Sequence, residues 1–216
     1  MIIVSLPPVH QTEVLKYIIS NRSVDAVRYN TGVDSPHSPL ATLGQITDGG
    51  YLLLIPKRHV ECIGAMEELE IMVLTGLLYQ TKAALIKEYR QAWALFEHGI
   101  IGQTIKHAHM HVLPTAIFAD FTSRVQKDFP KCDISLLNSL DSLREFYQKV
   151  QKPYLLLEHF GEKHKIFWDS SAPPQYLRIV VAEALGRPER ANWRNMDPEL
   201  DKKLWSETVT RLKPYF

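Results

Sequence analysis

The sequence predicts an α+β fold in which a long helix packs on an antiparallel meander of short strands, followed by a mixed α/β extension. Three observations predict it. Residues 66–90 run without proline and place Leu69, Val73, Leu77 and Leu85 at helical spacing. Short segments rich in apolar and β-branched residues, broken by Gly, Pro and Asp, lie before that stretch. After it, Lys106–Leu113 alternates between two kinds of side chain, the period of a strand.

In chain order, residues 11–20 read as a first helix, with Val14, Leu15, Ile18 and Ile19 on one stripe. Val24–Tyr29, Leu40–Gly44 and Tyr51–Ile55 read as short strands. Between the first two, the Thr31–Pro39 loop carries His37 and is expected at the surface. The long helix follows, with Gly76 inside it at a tolerable cost of about 1 kcal/mol. Ala92–Glu97 and Lys106–Leu113 complete the meander, and one helix across one face of such a sheet gives two layers.

Beyond Pro114 the pattern changes, and the chain divides into 1–118, the catalytic candidate, and 119–216, an extension packed on it. Leu140–Val150 reads as a helix. Tyr154–Phe160 and Lys165–Trp168 read as a hairpin around Gly161-Glu162. Gln175–Leu185 reads as a helix opened by Pro173-Pro174 and closed by Gly186, and residues 198–213 as a last helix ended by Pro214. The apolar runs Tyr154–Leu157 and Ile179–Val181 require burial, so the extension is expected to pack rather than dangle.

Composition excludes several classes. Of 216 residues, 45% are hydrophobic and 23% charged, an ordinary balance for a globular chain. A formal net charge of +1 offers no electrostatic case for nucleic-acid binding. Cys62 and Cys132 form neither a disulfide framework nor a Cys-x-x-Cys zinc pattern, which fits a reduced, cytoplasmic chain. The short apolar start meets Pro7-Pro8 without a basic leader, and no stretch is expected to reach bilayer length.

The chemistry lies in His107-Ala108-His109-Met110-His111. On a strand, the three imidazoles share one face and Ala108 and Met110 the other. Three histidines on one face are costly to bury without a task, and each can attack, shuttle a proton or bind metal near neutral pH. Gly102-Gln103-Thr104 just upstream reads as a tight turn. Gly102 lets backbone approach a ligand, while the Gln103 amide and Thr104 hydroxyl are neutral donors suited to a phosphoryl group under attack. A zinc site is the competing reading, but three ligands from one straight strand span too far for a compact tetrahedral set.

Gly102-Gln103-Thr104-Ile105-Lys106-His107-Ala108-His109-Met110-His111-Val112-Leu113-Pro114 resembles the signature of the histidine triad (HIT) superfamily, most of all its diadenosine polyphosphate hydrolase branch. Gly50–Val60, through Pro56-Lys57-Arg58-His59, is similar to that family's upstream strand and turn, and the likeness spans roughly residues 24–118. The resemblance implies nucleotidyl transfer through a covalent histidine. His109 would attack the α-phosphorus and water would release the mononucleotide. His107 and His111 would orient His109 and bind the phosphate or bridging oxygen, and Gln103 and Thr104 would hold non-bridging oxygens. His111 stands where phosphorylases and transferases of the superfamily often carry glutamine, which favours hydrolysis. Nucleotidyltransferase or phosphorylase activity, and a nucleotide-binding scaffold with little turnover, stay open beside it.

The resemblance also implies a nucleotide as the small-molecule partner and no obligatory cofactor on the enzyme; a divalent metal would arrive with the substrate polyphosphate. Many relatives pair as homodimers through the helix or an edge strand. Two positions depart from the family pattern. Tyr51 stands where many relatives carry a histidine that supports the triad by hydrogen bonding. Phe96-Glu97-His98-Gly99 stands where many have an asparagine that positions phosphate, and Glu97 would repel phosphate unless it binds a ribose hydroxyl or points away. The extension is similar, at Pro174-Gln175-Tyr176-Leu177-Arg178, to the C-terminal portions of larger relatives associated with splicing and lariat debranching. Arg178 is there either a phosphate ligand at a helix N-terminus or a solvated side chain on a packing helix. Arg187, Arg190 and Arg194 read as an exposed turn.

Overall fold

A computed structural model describes residues 2–4, 17–19, 45–56, 58–115, 121–192, 195 and 197–215. The fold is α+β. Two short strands, β1 (Ile2–Val4) and β2 (Tyr17–Ile19), pair antiparallel with Ile3 opposite Ile18. Tyr17–Ile19 is therefore strand where a helix was expected over 11–20; the aromatic and β-branched Tyr17-Ile18-Ile19 run suits a pleated surface. The strands expected at Val24–Tyr29 and Leu40–Gly44, and the loop with His37, lie outside the described residues.

The main sheet has six antiparallel strands in the order β3-β5-β4-β7-β8-β6. They are β3 (Leu52–Leu54), β4 (Trp93–Gly99), β5 (Met110–Pro114), β6 (Asp133–Leu137), β7 (Tyr154–His159) and β8 (His164–Trp168). The sheet crosses the boundary expected at residue 118, because β4 pairs with β7 along its whole length, Ala94 opposite His159 through Gly99 opposite Tyr154. The expected hairpin is β7–β8, and β6 joins its outer edge.

Helix α1 (Glu68–Tyr89) starts at a reciprocal capping box between Glu67 and Glu70 and ends at Arg90 in the left-handed conformation. It packs on one face of the sheet with α3 (Leu140–Val150), over a core that includes Leu74, Leu77, Leu85, Leu95, Val112, Leu143 and Leu156. Leu69, expected on the buried stripe, lies outside it, since the turn of α1 that meets the sheet carries Ile71 and Leu74 instead. At 22 residues α1 is, by length and composition, apolar enough to cross a membrane, contrary to expectation. Half of that apolar window is buried within the fold, and Lys82 within it pairs with Glu158 and lies 3.9 Å from the Trp93 ring centroid.

The second face is also apolar, with Tyr51, Leu53, Phe96, Leu113, Leu155 and Phe167. Strands buried on both faces need cover on both. Here α2 (Phe121–Asp128) and α4 (Tyr176–Ala184) supply it through Phe121, Val125, Tyr176, Leu177, Val180 and Val181. The arrangement has three layers rather than two. A last helix, α5 (Pro198–Leu212), is capped by the Asp197 carboxylate and lies beside α1.

Candidate active site

The histidine run does not form one strand. β5 begins only at Met110, and His107 and His109 precede it. Its partner β3 ends at Leu54, and Pro56, two residues on, has no N–H with which to extend the ladder. The side chains take over where the ladder stops. The buried His107 ring donates from Nε2 to the Pro56 carbonyl at 2.8 Å, and the Ala108 N–H donates to the Val60 carbonyl at 2.7 Å. The exposed His59 stacks on His107 with centroids 5.1 Å apart and bonds the Lys106 carbonyl.

His109 follows with a decisive contact. Its Nδ1 lies 2.6 Å from the His107 carbonyl, which can only accept, so Nδ1 carries the proton and Nε2 keeps its lone pair. Burial lowers the His109 pKa, the His107 carbonyl partly offsets this, and the charges of His107 and Arg178 lower it further. The ring keeps partial exposure to solvent. A neutral imidazole with a free Nε2 at pH 7 is a competent nucleophile.

On β5, His111 is fully packed. It stacks on Phe96 at 4.2 Å, lies 4.9 Å from the His109 ring and 6.1 Å from the His98 ring, centroid to centroid. Tyr51 Oη and His111 Nδ1 are 2.9 Å apart, and Arg178 Nη1 donates to the same phenol oxygen at 3.5 Å. A guanidinium only donates, so the phenol oxygen accepts from it; turning the phenol O–H to His111 Nδ1 satisfies both groups, whereas a donating Nδ1–H would leave that O–H without an acceptor among the described residues. That assigns the His111 proton to Nε2, which has no hydrogen-bond partner among the described residues. Burial lifts the Tyr51 pKa to about 12, so the phenol stays protonated.

Arg178 is not solvated: it is 3% exposed, on α4, with Nε bonded to the Ala191 carbonyl at 3.1 Å. No carboxylate pairs with it among the described residues, and its Nη2 has no partner. Burial lowers its pKa, and its charge in turn helps to lower those of His98, His109 and His111. An uncompensated buried cation is costly, and an anion is what would relieve it.

His98, not among the expected site residues, ties α4 to this cluster. Its Nε2 accepts from the Leu177 N–H at 3.0 Å in the first turn of α4, and burial, with the charges of His109 and Arg178, lowers its pKa to about 3. The Gly102 carbonyl accepts from the Gln175 N–H at 2.9 Å. Gly102 sits at φ +75, and a Cβ there would lie 2.8 Å from His98 Cδ2 and 3.1 Å from the Pro173 carbonyl oxygen. In the sequence His98 stands out only by its nearness to the glycine loop, which makes it a candidate ligand contact; its place beside His111 depends on the β4–β5 register that sets Phe96 opposite His111.

The loop donors are placed differently from expectation. The Gln103 amide donates to the Glu61 carbonyl at 2.8 Å, and Thr104 is exposed. Glu97 points away from the histidines. Strand alternation puts it on the α1 face, where it accepts from the Ile63 N–H and the Tyr154 hydroxyl, both at 2.7 Å. Burial raises its pKa to about 7. Among the described residues, no group of three or more His, Cys, Asp or Glu side chains is arranged to hold a metal ion. Arg187 and Arg190 reach back to Asp48 and the Gln45 carbonyl, respectively.

No protein-family model matches the chain, and no curated protein matches it. Among solved structures it is similar to the yeast Ap4A phosphorylase Apa2 in complex with AMP, at 16% identity and a TM-score of 0.38, over 76% of this chain and 66% of that one. The chain thus spans just under two thirds of that phosphorylase's length, and a likeness so distant bears on neither chemistry nor family membership.

Proposed function

We propose that the chain is a histidine-triad-type nucleotide hydrolase. It cleaves a dinucleoside polyphosphate, or a related nucleotidyl conjugate, at the α-phosphate through a nucleotidyl-histidine intermediate. The observation that carries this reading is the His109 tautomer: Nδ1 is held by a backbone carbonyl, and Nε2 is left as a free, neutral nucleophile beside an unpaired buried cation. In the first step the Nε2 lone pair forms a P–N bond and the bond from phosphorus to the leaving oxygen breaks. The leaving polyphosphate oxygen takes that electron pair as an anion and is met by a hydrogen bond from the His111 Nε2–H, which keeps its proton. Water then attacks phosphorus, the P–N bond breaks, its electron pair returns to His109 Nε2, and the proton lost by the attacking water passes to solvent. Arg178 meets the phosphate charge, and Tyr51 holds His111 in the donating tautomer. His107, bonded to Pro56, sets the carbonyl that orients His109. Gln103 holds the glycine loop to Glu61 through its amide.

A panel of dinucleoside polyphosphates, nucleoside phosphoramidates and adenylylated amines, with products identified by mass, tests the reading. Release of a nucleoside monophosphate, with a phosphoramidate trapped on His109, is the expected result. Tight binding without product after prolonged incubation at high enzyme concentration would instead make the chain a nucleotide-binding scaffold, and product only in the presence of inorganic phosphate would make it a phosphorylase.

A further inference from the structure

Helix α4 brings Arg178 to the histidines, yet its own sequence does not cap it. Gln175, at the N-cap, is in the left-handed conformation, and its side chain accepts no bond from the first turn. An N-cap side chain ordinarily accepts from the second or third N–H of a helix, a donor that otherwise has no partner. Here the acceptor comes from the sheet. His98 Nε2, on β4, takes the second N–H, that of Leu177, at 3.0 Å across 79 residues of chain. The next residue is Arg178. Only an unprotonated ring nitrogen can accept in this way. Burial, with the charges of His109 and Arg178, keeps His98 neutral by holding its pKa at about 3.

The His98 ring is itself closed to a substrate. It is 2% exposed and stands edge to face with Phe96 and His111, at centroid distances of 5.9 and 6.1 Å. Gly102 lies against its Cδ2 edge, and the Gly102 carbonyl accepts from the Gln175 N–H, so the glycine loop and the start of α4 close over the ring together. We propose that His98 is a positioning residue: as an N-cap supplied by the sheet, it fixes the first turn of α4 and, through that turn, the Arg178 guanidinium. Arg178 depends on such a tie. Its Nε bond to the Ala191 carbonyl is 3.1 Å long, its Nη1 is 3.5 Å from Tyr51 Oη, and its guanidinium carbon is 5.6 Å from the Tyr51 ring centroid. The phenol contact is at the limit of hydrogen-bond length, so a small shift at Leu177 breaks it.

Glutamine and asparagine test this by reach. A Gln amide oxygen reaches the place of Nε2, whereas the shorter Asn reaches only that of Nδ1, so both are polar and one of them can cap Leu177. His98→Leu, which removes the acceptor without burying an amide, is a second loss variant and should match His98→Asn. The first readout needs no nucleotide: solvent exchange of the Arg178 Nε–H, held by the Ala191 carbonyl, followed by NMR on the folded full chain. His98→Asn should speed that exchange about tenfold or more, and His98→Gln should leave it within about twofold of wild type. The second readout, AMP affinity by calorimetry, rests on the hydrolase reading. His98→Asn should weaken binding about tenfold and His98→Gln less than about twofold; in an Arg178→Met background His98→Asn should change it less than about twofold, because its effect travels through Arg178. Losses that add in the double variant would make His98 a substrate contact and overturn the proposal. Unchanged exchange in folded His98→Asn and His98→Leu overturns it too, as do equal effects of Gln and Asn. A wild type that binds no AMP, with exchange as expected, supports the His98 tie and sinks the hydrolase reading alone.

Discussion

Glu97 and His98 are neighbours on β4, yet they face opposite sides of the sheet and meet opposite circumstances. On the α1 side, Glu97 is buried in a closed network: Ile63 N–H and the Tyr154 hydroxyl each satisfy one oxygen, and the Gly64 N–H satisfies Tyr154 in turn. On the α4 side, the polar groups are buried just as deeply but end in loose valences, His111 Nε2 and Arg178 Nη2. A fully satisfied buried network specifies structure; one that leaves strong donors unmet is a site waiting for a ligand. The difference distinguishes the two sets of buried ionisable groups more sharply than burial or pKa does.

The largest effect that would break this comparison is at His109. His109→Ala should lower turnover by roughly 10⁴-fold or more, while nucleotide affinity, measured by calorimetry, stays within about threefold, because attack and binding use different groups. Activity near wild type would place the chemistry elsewhere.

Glu97 tests the closed face through pH. Its folded pKa of about 7 lies above the ordinary 4.5, so the native state holds a proton that the unfolded chain has released. Its stabilising contribution is full below pH 4.5 and is lost as pH rises to about 7, a change on the order of 3 kcal/mol. His98, depressed to about 3, acts with opposite sign: its contribution is present above pH 6.5 and is lost as pH falls toward 3. Urea melts across pH 4.5–8 should therefore show Glu97→Gln flattening the neutral limb and leaving the acid limb intact, with kcat at fixed pH within about twofold of wild type. A Glu97→Gln enzyme that folds normally but has lost turnover would move Glu97 into the site.

Arg178 sharpens the open face. Arg178→Met keeps the bulk of the side chain and removes a buried, unpaired charge, so stability should hold or rise while nucleotide affinity falls about thirtyfold, or ~2 kcal/mol. A stability loss with unchanged affinity would make Arg178 structural. The smallest effect is expected at Tyr51. Tyr51→Phe removes only the hydroxyl that holds His111, and kcat should fall about tenfold, or ~1.4 kcal/mol, with KM nearly unchanged. An unchanged kcat would mean that His111 needs no help to hold its tautomer.

Much of this was legible in the linear chain, for identifiable reasons. The long helix was readable because twenty-odd residues without proline can bury a stripe in only one way, and the β7–β8 hairpin because apolar runs flank Gly161-Glu162. The Tyr17–Ile19 strand was not, since three residues that continue the apolar pattern of Val14 and Leu15 fit two periods equally well. Nor were α2 and β6: β6 is an outer strand with Leu136 exposed, so no buried face stamps its period on the sequence.

For the site, the residue types and their spacing were decisive. Three alternate histidines after Gly-Gln-Thr confine the chemistry to a few possibilities whatever surrounds them, and Tyr51 and Arg178 stood out as chemically pointed residues before their neighbours were known. Their convergence could be settled only in three dimensions. Tyr51 and Arg178 are 127 residues apart and meet because β3 borders β5 on one face while α4 crosses that face. The His109 tautomer depends on a backbone carbonyl that turns inward where Pro56 ends the β3 ladder, and Glu97 and His98 are parted by the pleat and by which helix covers each side. Local chemistry is written residue by residue. Register, facing and the pairing of distant polar groups follow from the lowest free energy of the whole packed chain.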